Sequence, residues 1–191
     1  MTHIPHLLSD PKYVQSCDLM CFTEAKVNGI NIFDETWDVL HNDSGHGLAL
    51  CYKKAHVTVL EEFQVDTKLE AIAVLLQHHT SHILLVLLYR KPGAVNTFVE
   101  TLNQQLHVLT TTLPVGCRIM VIGDFNLDQQ DEKKVVLLDA LKEEHSLVQR
   151  SRFTTHMHGG ILDLWFDTNC ASQSVTWVPT PYSDHFVLLS S

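Results

Sequence analysis

Short apolar runs of strand length, separated by turns and by two amphipathic stretches, set the rhythm of this chain. Nine runs read as strands: Asp18 to Thr23, Trp37 to Leu40, Leu48 to Lys53, Glu70 to Gln77, His82 to Arg90, Arg118 to Gly123, Ile161 to Thr168, Ser174 to Val178 and Phe186 to Ser190. The polar break His78-His79-Thr80-Ser81 between the fourth and fifth predicts a hairpin. Near-continuous apolar runs such as Ile83 to Leu88 predict strands covered on both faces, hence sheets packed on each other with helices outside. Phe98, Leu102, Leu106, Leu109 and Leu113 share one helical face, opened by the capping-box form Thr97-Phe98-Val99-Glu100 and closed by Pro114. A second helix is expected from about Asp131 to His145, with Val135, Leu138 and Leu141 inward. The expected class is α+β, or mixed α/β, with layered sheets.

Composition narrows the setting. At 191 residues with 45% hydrophobic positions, one domain with a good core is the default. The longest apolar run is too short to cross a bilayer, and Met1 to His6 lacks the charged-then-apolar order of a leader. A soluble intracellular protein, nuclear or cytoplasmic, with no membrane partner is therefore expected. Cys17, Cys21, Cys51, Cys117 and Cys170 are scattered and odd in number, which fits free thiols better than a disulfide frame or a zinc ribbon. The formal net charge of −9 argues against a non-specific grip on a phosphate backbone, but leaves room for metal-assisted action on one phosphate.

Candidate chemistry sits at the ends of the apolar runs. In Arg118 to Asn126 (RIMVIGDFN), Gly123 allows a turn or a close approach. If extended geometry continues, Asp124 and Asn126 share one side while Phe125 enters the core. An acid and an amide so placed can polarise a water and donate to a phosphate oxygen; on these residues alone an Asx turn is the favoured reading. Tyr182-Ser183-Asp184-His185 abuts the last apolar run, and Asp163 interrupts another, where a carboxylate needs a partner. His185 is a candidate for that partner, since a carboxylate on one ring nitrogen fixes the tautomer and raises the pKa. Glu24 ends the first apolar run and has the chemistry of a Mg²⁺ ligand. His78, His79 and His82, and the pair His156 and His158, read as surface-loop histidines rather than a zinc site, because no cysteine pair accompanies them; His156 is placed near the rim of the site.

The order Glu24, Tyr89, Gly123-Asp124-Phe125-Asn126, Leu162-Asp163 and Ser183-Asp184-His185 resembles the endonuclease/exonuclease/phosphatase superfamily, with its DNase I-like sandwich of two packed β-sheets flanked by helices. Cys21 to Glu24, Gly45 to Leu50, Leu88 to Pro92 and Phe153 to His156 are similar to the endonuclease domains of mobile elements, both non-LTR retrotransposons and Helitron-type elements. The resemblance implies divalent-metal-dependent phosphodiester hydrolysis, with nucleic acid, DNA for preference, as substrate and Mg²⁺ or Mn²⁺ as cofactor. It implies Glu24 and Asp184 at the metal and Asp124 orienting or deprotonating water. Tyr89, Asn126 and His185 would meet the phosphate, with Asp163 orienting His185. Glu35, in Asp34-Glu35-Thr36-Trp37, is the rival metal glutamate, and Glu24 is preferred because it follows an apolar strand.

Relatives of this kind begin with a strand that ends in a metal-holding asparagine, and no asparagine precedes Asn28 here. The expectation is thus a single domain over 1–191 that lacks its first strand, with Thr2 to Pro11 as connecting segment. Two other outcomes stay open: a catalytically weakened domain kept as a binding or structural module, and a phosphatase of the same superfamily.

Overall fold

The computed structural model describes residues 15–25, 35–94, 97–168, 175–179 and 183–190. The expected connecting segment Thr2 to Pro11, Asn28, Asp34, Cys170, Ser174 and Tyr182 lie outside them. The strands are β1 (Leu19–Thr23), β2 (Trp37–Asn42), β3 (Leu48–Lys53), β4 (Val57–Phe63), β5 (Glu70–His78), β6 (Ser81–Tyr89), β7 (Arg118–Asp124), β8 (Val148–Gln149), β9 (Asp163–Asp167), β10 (Val175–Val178) and β11 (Val187–Ser190). The helices are α1 (Thr97–Thr110), α2 (Glu132–Val135) and α3 (Asp139–Glu144).

Three sheets form: six strands in the order β4-β5-β6-β7-β9-β8, three in the order β1-β3-β2, and the pair β10-β11. Among the described strands only β6 and β7 run parallel, and a parallel neighbour requires a crossover, which α1 supplies. Strand alternation then sorts β6 into two faces. Leu84, Val86 and Leu88 meet Phe98, Leu102 and Leu106 of α1 and Leu138 and Leu141 of the later helical segment. Ile83, Leu85, Leu87 and Tyr89 meet Leu48, Leu50 and Tyr52 of β3 in a second core. The molecule is therefore an α+β sandwich of two packed sheets, with helices on the outer face of the larger one. Among the described residues no helix is long and apolar enough to cross a membrane.

Several expected elements shift, each for a local reason. The helix expected over 131–145 is broken: α2 gives way to a 3₁₀ turn, Val136–Leu138, before α3 resumes. The β-branched pair Val135-Val136 is a poor helix interior, and Leu138 and Leu141 still reach the core. Asp131 caps α2 by accepting from the Lys133 amide at 3.1 Å. Helix α1 already includes Thr97 and stops at Thr110, short of Pro114, where Thr110, Thr111 and Thr112 each bond a carbonyl three residues back. The run over 161–168 becomes a strand only from Asp163, so that carboxylate opens β9 instead of interrupting it. Strand β4 escaped the pattern because it is an edge strand with a bulge between Val59 and Glu61, which destroys a two-residue alternation.

Candidate active site

Register brings the candidate residues together. Tyr89 ends β6 opposite Asp124, which ends β7, and Asp124 in turn pairs with Asp163 at the start of β9. Three polar side chains from three adjacent strands thus line one corner of the larger sheet. Glu24, in the left-handed turn after β1 (φ 54°), arrives from the smaller sheet and accepts the Tyr89 hydroxyl proton at 2.8 Å. The following Ala25 amide donates to the Gly47 carbonyl at 2.9 Å, so β3 holds that turn in place.

Asp124 is 3% exposed. Its Oδ1 accepts the Asn126 backbone amide at 2.9 Å and its Oδ2 the Asn126 side-chain amide at 3.0 Å. An Asx turn is thus present, but Asp124 also lies 4.0 Å from Nε2 of His185. The condition of continued extension fails at Asn126, which turns to φ 48°, and the two side chains meet through the Asx turn that was its alternative. Phe125 is fully buried, edge-on to Phe98 and Phe166. The second amide proton of Asn126 goes to the Arg90 carbonyl at 2.8 Å, so both its side-chain donors are engaged. Burial, then the Asp163 charge, lift the Asp124 pKa to about 7 against the opposing pull of His185 and the Asn126 amide.

His185 donates Nδ1–H to Asp163 at 2.8 Å, the pairing anticipated from the isolated carboxylate. Burial draws the ring's pKa down, but the bond and charge of Asp163, with Asp124 and Asp184, outweigh it and raise it to about 9. The ring therefore carries both protons at neutral pH, with Nε2 directed at the Asp124 side. Tyr89 remains a neutral phenol: burial and the Glu24 carboxylate push its pKa well above the ordinary value.

Asp184 stands apart. It is mostly exposed, pairs with His156 Nε2 at 3.2 Å, and clusters with His156 and His185. Glu24 belongs to no group of three closely spaced ligand atoms among the described residues, so the two expected metal ligands do not meet in one cluster. His156 packs edge-on against His185, at 4.8 Å between ring centroids.

Two supports were not singled out from the sequence, although Thr155 lies in the stretch Phe153 to His156. Fully buried Thr155 accepts the Leu162 and Asp163 amides on Oγ1 at 2.9 and 3.0 Å, fixing the backbone that presents Asp163. Glu70 accepts the His46 and Gly47 amides at 2.6 and 2.9 Å, holding His46 with its ring centroid 4.5 Å from that of Tyr89. Replacing Thr155 by valine keeps the shape but leaves two part-buried amides without this acceptor, at up to about 1–3 kcal/mol for each orphaned group. A fall of that order in urea-unfolding free energy, with reduced activity in the folded protein, is the expected result.

No protein-family model matches the sequence, and no curated protein sequence matches it. Solved structures do. The endonuclease domain of TRAS1, a telomere-specific non-LTR retrotransposon, superposes with a TM-score of 0.72 at 16% identity, over 97% of this chain and 89% of that one. An endonuclease/exonuclease/phosphatase family protein from Bacteroides thetaiotaomicron gives 0.70 at 14% identity, over 96% and 86%. This chain has the endonuclease/exonuclease/phosphatase fold. A mannosyl-6-phosphatase from Bacteroides thetaiotaomicron shares the fold too, with 0.69 at 14% identity over 97% and 90%. The corner built from Glu24, Tyr89, Asp124, Asn126, Asp163 and His185 therefore sits within a scaffold shared by an endonuclease domain and a sugar phosphatase.

Proposed function

We propose that this domain is a divalent-metal-dependent phosphodiester hydrolase that cuts DNA. The observation that carries the reading is the line Asp163–His185–Asp124: an imidazole anchored at 2.8 Å on one carboxylate and 4.0 Å from a second, buried one. In this reading Asp124, with its pKa near neutrality, takes a proton from the attacking water. His185 presents Nε2–H to the phosphate oxygen that gains charge, while Asp163 holds its ring. Water oxygen bonds to phosphorus, the bond to the leaving alkoxide breaks, and solvent returns a proton to that alkoxide. Asn126 locks the Asp124 carboxylate, and would have to release one of its present acceptors to reach phosphate itself. Tyr89 sets the orientation of Glu24.

The donor set suits a hard cation: Asp163 and Glu24 both push the Asp124 pKa up, so their mutual repulsion is what a divalent ion relieves. Glu24 is the residue that would hold it, with Asp184 as a further carboxylate at the rim, which leaves Asp124 free to act as the base. A bound Mg²⁺ or Mn²⁺ supplies charge that polarises a phosphate oxygen. DNA is preferred because the TRAS1 domain is an endonuclease, and because of the mobile-element style of Gly45 to Leu50 and Leu88 to Pro92.

The test is nicking of supercoiled plasmid with Mg²⁺ and with chelator, for wild type and Asp124→Ala. Metal-dependent nicking that falls by about 10² or more in the variant is expected. A folded wild type that never nicks would sink the proposal; turnover of small phosphomonoesters alone would make it a phosphatase.

A further inference from the structure

At the opposite end of the sandwich, three turns bring histidines around one carboxylate. Asp18 immediately precedes β1, His56 lies in the turn between β3 and β4, and His78 and His79 lie at the turn between β5 and β6. Asp18 Oδ2 is 3.2 Å from Nε2 of His78, and Oδ1 is 2.8 Å from Nδ1 of His56. One ligand atom from each of Asp18, His78 and His79 lies within 4.8 Å of the others. The His79 ring stands 4.4 Å from that of His78 and 5.6 Å from that of His56, centroid to centroid.

The backbone holds this arrangement. The Lys53 amide donates to the Asp18 carbonyl at 3.0 Å, the His56 amide to the Lys53 carbonyl at 3.1 Å, and the His79 amide to the His56 carbonyl at 3.3 Å. His79 adopts φ 54° at the first position of a two-residue hairpin turn, where glycine or asparagine is customary. A bulky residue is thus kept in a left-handed conformation that L side chains rarely adopt.

We propose that Asp18, His78 and His79 form a binding site for a borderline divalent metal of the Zn²⁺ type, with His56 orienting the Asp18 carboxylate through its other oxygen. Two imidazole nitrogens and a carboxylate oxygen are the ligand types Zn²⁺ prefers. Tetrahedral ligation at about 2.0–2.1 Å spaces ligand atoms by roughly 3.3 Å. The Asp18–His78 spacing already meets this, and the others need only side-chain rotation. Lys53 competes for the same carboxylate, with Nζ 3.4 Å from Oδ1. Its contacts with the Gln15 carbonyl and the Trp37 ring remain available to it when a metal takes Asp18. The nine residues of β6 separate this end from Tyr89 by about 26 Å at 3.3 Å per residue, so the ion would staple three turns and take no part in phosphate chemistry.

The experiment titrates metal-free full-length protein with Zn²⁺ against a chromophoric chelator and follows the melting temperature and the visible spectrum of the Co²⁺ form. Wild type is compared with His78→Gln, with His79→Asn, which tolerates the left-handed turn, and with His156→Ala, which removes histidine ligation near His185. The expected result is one equivalent of Zn²⁺ with a raised melting temperature and a tetrahedral Co²⁺ spectrum. In His78→Gln and His79→Asn the affinity for that equivalent falls by 10-fold or more and the melting shift disappears, while His156→Ala retains both. Retention of the equivalent in folded His79→Asn and His78→Gln, its loss in His156→Ala alone, or its absence from wild type would overturn the proposal.

Discussion

His185→Ala is expected to lower hydrolysis by about 10²–10⁴-fold while leaving the fold intact, measured as single-turnover cleavage of DNA together with circular dichroism. The ring is only partly buried and makes one direct side-chain hydrogen bond, to Asp163, so its removal leaves no large cavity. What it takes away is the positive charge beside Asp124. Asp163→Asn separates charge from geometry. The amide can still bond the ring, but the anion that helps raise the His185 pKa to about 9 is gone. In metal-free protein the imidazole resonances of His185 should therefore titrate near 9 in wild type and markedly lower in Asp163→Asn. Unchanged titration would mean that Asp163 does not set the state of His185; unfolding of the variant would make Asp163 a structural residue.

His185 and Asp124 each make stability depend on pH. His185 has a folded pKa above the roughly 6.5 of a free imidazole, so its contribution is complete below about 6.5 and is lost as pH rises through about 9. Asp124 also binds its proton more tightly when folded, since its pKa rises from 3.8 to about 7. It too makes the metal-free protein less stable as pH climbs, here between about 4 and 7. Both slopes have one sign, and a divalent cation should oppose the Asp124 component by favouring its ionised form.

Much of this corner was legible because the polar residues punctuate apolar runs. Asp124 follows a buried run, Glu24 ends another, and His185 precedes a third, so strand pairing had to bring strand ends together. The core faces of β6 and α1 were equally plain, since their periods of two and of 3.6 are unbroken. Less legible was whatever depends on a turn. The Asx turn at Asp124 and Asn126 was open from the residues, but not that Asn126 would give its second amide proton to the Arg90 carbonyl. The histidines of the β5–β6 turn were read as loop residues because their partners are distant in sequence, Asp18 lying 60 positions from His78 and His56 meeting His79 through sheet topology. Thr155, hidden among five polar or aromatic neighbours, gave no periodic signal at all.

Gly123→Ala should be the most damaging small substitution in the chain. A Cβ at this position would overlap the Leu88 carbonyl oxygen and lie 2.8 Å from its carbon and 3.0 Å from the Leu88 nitrogen, all main-chain atoms that cannot swing aside. Overpacking of this kind costs about 1–3 kcal/mol, and the backbone at φ 151° adds a strain of about 1–3 kcal/mol for a residue with a side chain. The sum is a large part of the roughly 5–15 kcal/mol that holds a domain together. Gly116→Ala isolates the second contribution, because φ is 77° there but no atom lies within 4 Å of the added carbon. Urea unfolding should show a much greater loss for Gly123→Ala than for Gly116→Ala; equal losses would mean that the clash is relieved and only strain remains. The site should suffer beyond stability, since Leu88 and Gly123 are partners one step before Tyr89 and Asp124. Whatever fraction of Gly123→Ala folds must hold β6 and β7 farther apart at that step, so Asp124 moves relative to Tyr89 and Glu24 and cleavage per folded molecule should fall as well.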